Sequence, residues 1–236
     1  TAGNQYSFSF ETIGPGTMSF QFSSSDVYAG GQKYNAGAVQ PTQDISFRLF
    51  GSAVGAAGVP DYINSSGTTF WENSFNATYN NDIAGIGIDS GSALTQSKSK
   101  SQNADGVMIL SAATAMADGE FLMTGNNNGA ATFSTTGAPA GYGLLSRKWI
   151  AQETGEVGNV TVAFDVADTG FDIPAKGTYY LVYDTDLDSS LADETPVQLF
   201  DNATNGDETS GDNIYSVNGI DLEQGTLFTI GSVYTP

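Results

Sequence analysis

Cysteine and histidine are both missing from the 236 residues. Their absence removes any disulfide framework and the usual ligands for zinc, copper and iron–sulfur centres. It also removes Ser-His-Asp and Cys-His nucleophile systems. Cationic side chains are scarce, with 7 Lys+Arg against 26 Asp+Glu, a formal net charge of −19. Such a surface repels phosphate, so nucleic acid is not an expected partner. No apolar run approaches membrane-spanning length, so no direct membrane insertion is expected. Charged residues make up only 14%, which leaves the surface largely to Ser, Thr, Asn, Gln and Gly. What is present is a core: 39% hydrophobic and 11% aromatic residues, unlike an acidic disordered tail. Carboxylates in this excess oppose compaction unless cations neutralise them. Calcium, in several ions, is the expected cofactor because it takes carboxylate, amide and backbone oxygens. A cysteine-free chain of this composition fits an extracellular bacterial surface protein stabilised by ions. The start at Thr1 reads as a segment cut from a longer secreted protein.

Period-two alternation dominates the chain. It runs through Tyr6, Phe8 and Phe10, through Met18, Phe20 and Phe22, and through Ile45, Phe47 and Leu49. It recurs in Val160, Val162, Phe164 and Val166, and the segments TYYLVYDT and TLFTIGSV read as strands rich in aromatic and β-branched residues. Gly-Pro-Gly at 14–16, Gly30-Gly31 and the Asn-Gly pairs at Asn128, Asn205 and Asn218 read as turns. The expected fold is all-β, an antiparallel β-sandwich with long calcium-binding loops, forming a single domain over residues 1–236. Two Ala-rich pieces, SAVGAAG at 52–58 and SAATAMADG at 111–119, are the helix candidates. Residues 90–105 read as a structured polar loop within the domain.

Several constellations carry chemistry. Asp184, Asp186 and Asp188 alternate directly after an apolar strand, a spacing that lets carboxylates converge on one hard cation if the chain turns. The stretch opens like an EF-hand loop, but Ser189 replaces the glycine of position six and Thr195 the glutamate of position twelve. It therefore reads as a β-loop metal site, joined by Asp193 or Glu194; the bland alternative is a solvated acidic turn. A second acidic stretch holds Asp201, Asp207 and Asp212, divided between a flexible loop and a second calcium site. Asp82 and Asp89 bracket the small apolar turn AGIG and are further metal candidates. After them come Gln96, Ser97, Lys98, Ser99, Lys100, Ser101, Gln102, Asn103 and Asp105. Alternating Ser and Lys on a strand sets hydroxyls on one face and ammonium groups on the other. That segment is either an edge strand blunted by lysines or a ligand-binding shelf with an acidic, cation-holding rim. Arg147, next but one to Trp149, reads as core-edge packing with a salt bridge to Glu153 or Glu156.

The string TTFWENSFNATYNNDIAGIGIDSGSALTQSKSKSQNADGVMIL resembles a signature of large secreted and cell-surface bacterial proteins. In that family an N-D-I-A-G-I-G-x-D block precedes L-x-Q-x-x-S-K-S-x-N. An Arg-x-Trp-x-x-x-E-T-G block follows, matched by Arg147, Trp149, Glu153, Thr154 and Gly155, then a strand ending in D-T-D-x-D, matched by Asp184, Asp186 and Asp188. The likeness spans roughly residues 61–231 and departs at Ile88, where the block carries a basic residue. The chain is most similar to the calcium-dependent peptide-binding domain of giant RTX adhesins, such as that of a marine bacterium's ice-binding adhesin. That resemblance implies a β-sandwich holding several calcium ions. It also implies capture of the C-terminal residues of other cells' surface proteins, with a calcium ion helping to hold the terminal carboxylate.

The leading expectation is thus an adhesive ligand-binding module. On so acidic a surface a free carboxylate needs a locally positive feature, and a calcium ion with an open coordination position supplies one. A calcium-dependent lectin is the runner-up, since 11 Tyr, 14 Phe and 2 Trp permit sugar stacking. A calcium-stiffened spacer is a third reading. Glycoside hydrolysis by paired carboxylates finds no standout pair, so no enzyme activity is expected. The last residues, Tyr234, Thr235 and Pro236, are expected to offer a self-contact in which one molecule's terminus enters its neighbour's pocket.

Overall fold

The computed structural model describes residues 61–168, 170–201 and 211–234, together with the backbone of short strands between residues 22 and 45. The chain divides into two compact units, Thr1–Ala56 and Ala57–Pro236. In the first, β1 (Phe22–Ser23) pairs antiparallel with β4 (Asp44–Ile45), and β2 (Lys33–Asn35) with β3 (Ala38–Gln40). The rest of the alternation read in residues 6–49, and the whole of the helix candidate at 52–58, lie outside the described residues.

The second unit is the antiparallel β-sandwich. A small hairpin, β5 (Tyr62–Ile63) and β6 (Thr69–Trp71), precedes it. The larger sheet contains β7 (Asn81–Asp89), β8 (Leu94–Gln96), β11 (Phe121–Asn126), β12 (Phe133–Ser134) and β13 (Tyr142–Thr154). It is completed by β15 (Tyr179–Tyr183), β16 (Val197–Gln198) and β18 (Leu227–Val233), in the order β16-β15-β18-β13-β11-β7-β8, with β12 on β13. The smaller sheet has the order β17-β14-β10-β9, made by β9 (Lys98–Lys100), β10 (Met108–Ala112), β14 (Val160–Asp165) and β17 (Ile214–Ile220).

The inward-facing residues that alternate along these strands meet in one core. Trp149 of the larger sheet contacts Phe164 of the smaller at 5.2 Å between ring centroids, and stacks on Phe228 at 6.1 Å. All three side chains are almost wholly buried. Val160, Val162, Leu181 and Ile230 complete this layer, which confirms the strands read over NVTVAFDV, TYYLVYDT and TLFTIGSV.

Three local expectations change. Residues 111–119 form no helix: Ser111 and Ala112 finish β10, paired with Thr161 and Val160, because β-pairing over a buried face outweighs the weak helical preference of a short Ala-rich run. Asn218-Gly219 is not a hairpin turn but lies inside β17, where the register with β14 shifts and Gly219 has φ 74°. A β-bulge consumes the same left-handed glycine that a turn would. Residues 90–105 are not all loop. After a 3₁₀ turn at Ser90–Ser92, β8 pairs with β7 in the larger sheet, then β9 pairs with β10 in the smaller one. The chain therefore switches sheets at Ser97, whose carbonyl accepts the Ala112 N–H at 2.8 Å, and closes one side of the sandwich.

Candidate metal centre and the buried arginine network

β15 delivers Asp184 to the end of the larger sheet. Its N–H still donates to the Leu227 carbonyl at 2.8 Å, while its side chain is buried. The Asp184 carboxylate accepts the N–H groups of Asp188 at 3.2 Å and Ser189 at 2.7 Å, which folds the chain back on itself. Leu187 and Ser189 take left-handed φ values of 61° and 69° to complete the turn. Glu194 returns to the site, accepting the Thr185 N–H at 2.7 Å and its hydroxyl at 2.9 Å.

Carboxylate oxygens of Asp184, Asp186 and Glu194 consequently lie within 4.8 Å of one another, and so do those of Asp186, Asp188 and Asp193. The five acidic residues grouped from the sequence converge, and each of the two sets could hold a metal ion. Asp186, shared by both, has its carboxyl pKa raised, first by loss of hydration and then by neighbouring Asp188, Asp184 and Asp193. Crowded carboxylates that resist ionisation are what a cation in their midst would relieve. The donors are all oxygens, which suits a hard cation.

The other acidic candidates go elsewhere. Asp82 sits in a β-bulge of β7, where the register with β11 shifts and its own φ is 50°. A bulge re-aims a side chain, and this one turns the Asp82 carboxylate into the protein. There it accepts hydrogen bonds from Asn103 at 2.8 Å and Asn126 at 2.7 Å, and meets the Arg147 guanidinium at 3.3 Å. Arg147 lies at a second bulge, in β13, where the register with β18 shifts between Leu144 and Lys148. The Thr229 hydroxyl secures that bulge by donating to the Arg147 carbonyl at 2.6 Å.

Every N–H of this guanidinium is used. Nε donates to the Gly129 carbonyl, Nη1 to Asp82 and the Asp105 carbonyl, and Nη2 to Asp105 Oδ2 and Asn128 Oδ1. Its planar face lies 3.6 Å from the centroid of Phe171. The partners expected for Arg147, Glu153 and Glu156, are replaced by Asp82 and Asp105. Glu153 instead accepts the Val157 N–H at 2.7 Å. Asn103 and Asp105, expected on a ligand shelf, are anchors of this network.

A family model described as "Domain of unknown function (DUF8202)" matches residues 49–226. The chain belongs to the DUF8202 family. No curated protein and no solved structure shows significant similarity to it. The DUF8202 match contains Arg147, all the side chains and carbonyls that its guanidinium meets, and the acidic loop after β15.

Asp89 is held by Ser65, whose hydroxyl and N–H both donate to it, and by the Ser92 hydroxyl at 2.7 Å. The hydroxyls of Ser65 and Ser92 lower its pKa to about 2 despite lost hydration. It therefore ties the β5–β6 turn to the end of β7 and, like Asp82, belongs to neither converging acidic set among the described residues. A carboxyl depressed from 3.8 to about 2 stabilises the fold fully above the unfolded value and loses that stabilisation as pH falls through about 2. The urea midpoints of wild type and Asp89→Asn should therefore differ at pH 6 and converge between pH 4 and pH 2; a constant difference would contradict this role.

Lys100 is paired with Asp165 and Asp168, each at 3.1 Å. Burial opposes its charge, but those two carboxylates outweigh it and raise its pKa. Lys98 is exposed. Gln96 donates to the Lys98 carbonyl, the Ser99 hydroxyl accepts the Gly85 N–H, and the Ser101 hydroxyl accepts that of Asn103. Ser97 serves the sheet switch through its carbonyl, and Gln102 is exposed. Asp201 accepts the Gly211 N–H and Asp212 that of Ile214, while Asp207 lies outside the described residues.

Proposed function

We propose that this DUF8202 domain is a calcium-dependent, extracellular adhesion module that binds the C-terminal residues of peptides or proteins on other cells. The observation that carries the calcium part is the convergence of Asp184, Asp186, Asp188, Asp193 and Glu194 at the end of β15. An all-oxygen, carboxylate-rich set on a β-loop matches calcium better than magnesium, which demands stricter octahedral geometry. The domain would hold its ions through these carboxylates, and a bound ion with an open position would supply positive charge on an acidic surface. Support for the peptide part comes from the resemblance of the domain's N-D-I-A-G-I-G, Arg-x-Trp and D-T-D-x-D blocks to those of RTX adhesin peptide-binding domains. The signature residues Asp82, Asn103, Asp105 and Arg147 then act as scaffold, fixing the loops at 101–106 and 127–129 on the sandwich.

A calcium-dependent lectin is the second reading, and exposed aromatics such as Phe75 and Tyr234 favour keeping it. The deciding experiment is an array of peptides with free or amidated C-termini, beside a glycan array, each probed in calcium and in chelator. Calcium-dependent capture confined to free termini is expected. Equal binding to amidated peptides, or binding to glycans alone, would overturn the peptide reading. The Tyr234 N–H donates to the Gly141 carbonyl at 2.9 Å, and its side chain is exposed. Thr235 and Pro236 lie outside the described residues.

A further inference from the structure

A cavity of about 490 Å³ opens at the end of the sandwich where β15 begins. Its size is that of a small-molecule site. Phe133, Val233 and Tyr234 give it apolar walls, Thr178 and Ser232 give it hydroxyls, and among the described residues Lys176 is the only charged one lining it. That is unexpected by composition, since acidic residues outnumber Lys and Arg by 26 to 7. No carboxylate among the described residues forms an ion pair with Lys176, unlike Lys100 and Arg147. Its ammonium instead lies 5.2 Å from the centroid of Phe133.

The wall that carries Lys176 is fixed. The buried Tyr179 hydroxyl donates to the Pro174 carbonyl at 3.1 Å and accepts the Lys176 N–H at 3.2 Å. On the opposite wall, β12 is held by its pairing with Leu144 and Leu145 of β13. Gly143 leaves room at the base, where an added methyl group would meet nothing closer than 3.7 Å. The acidic loop lies at the far end of β15, about 20 Å away at roughly 3.3 Å per residue. A ligand here would therefore be out of reach of an ion in that loop.

We infer that this pocket binds a ligand carrying a carboxylate on an aromatic or apolar body, the carboxylate meeting Lys176 and the body lying against Phe133, Val233 and Tyr234. A cation with no ion-paired carboxylate among the described residues, in a strongly acidic protein, attracts an anion locally, and the ring beside it favours a flat or apolar neighbour. The site needs no metal, which separates it from the calcium-held terminus proposed above.

The test is an amide-shift titration by NMR of the whole chain in calcium, with N-acetylphenylalanine, its amide, and glucuronate as probes. The carboxylate probe should shift Gly143, Gly177, Thr178 and Ser232. Binding should weaken about tenfold or more for the amide probe and for Lys176→Gln, the loss of one charge-assisted contact. Lys176 is exposed, so this variant keeps the fold, and unchanged shifts elsewhere verify that. No shifts at these residues, or equal affinity for the amide, would overturn the inference. So would unchanged affinity in Lys176→Gln, or tighter binding of glucuronate. Shifts confined to residues 184–194 would overturn it too, while favouring a metal-held carboxylate.

Discussion

Replacing Arg147 with methionine should lower the melting temperature of the sandwich by on the order of 10 °C. The guanidinium is almost fully buried, with only 4% of its side chain exposed, and the Asp82 carboxylate it faces is 6% exposed. Removing one partner of a buried pair leaves the other charged without compensation, a cost of about 3–5 kcal/mol. The substitution would also strand the Gly129 and Asp105 carbonyls and the Asn128 side chain, and remove the group packed on Phe171. Methionine keeps much of the volume, so the loss reports on charge and hydrogen bonding more than on a cavity. The double variant Arg147→Met with Asp82→Asn should regain part of the stability, because it no longer buries an unpaired carboxylate. Thermal unfolding followed by circular dichroism in excess calcium measures both. A single variant within about 0.5 kcal/mol of wild type, the range of ordinary surface changes, would show that the network is not a structural anchor.

Chelation should destabilise the domain by a comparable amount. Extracellular calcium modules have Kd values of about 10⁻⁴–10⁻³ M. An ion supplied at about 100 times Kd stabilises the folded state by about 2.7 kcal/mol per site. Adding excess chelator to the calcium-loaded protein should therefore drop the melting temperature by several degrees per site, and titrating calcium back should restore it. Asp186→Ala tests the loop directly, because Asp186 belongs to both converging sets. Its melting temperature in excess calcium should fall towards that of the chelated wild type, and chelator should lower it less. If Asp186→Ala kept its stability and calcium response while peptide capture vanished, the loop would be the ligand site and not a structural one. A melting curve indifferent to chelator would remove calcium from the account altogether.

The sheets were legible in the sequence because alternation is a local property. Val160, Val162 and Phe164 face the core for the same reason that they are spaced two apart. The acidic loop was legible on similar grounds: Asp184, Asp186 and Asp188 are so close in the chain that one turn brings them together, and Glu194 needs only a short return. What stood out of reach were choices made between distant segments. Arg147 meets Asp82 because two bulges, one in β7 and one in β13, turn both side chains inward, and no spacing rule announces a bulge in a strand without a marker glycine. Gly219 did mark one, but a turn and a bulge ask for the same residue. Likewise the crossing from β8 to β9 depends on which edge each short strand finds, and the Lys176 pocket is assembled from β12, β13, β18 and the residues before β15. The sequence by itself determined the all-β class, the buried faces of the main strands and the acidic loop that could take a cation, since each depends on neighbours within a few residues. The tertiary structure alone decided which acidic residues are neutralised by arginine and lysine, and which cation is left beside a cavity. Those outcomes depend on burial and on partners brought together by strand pairing.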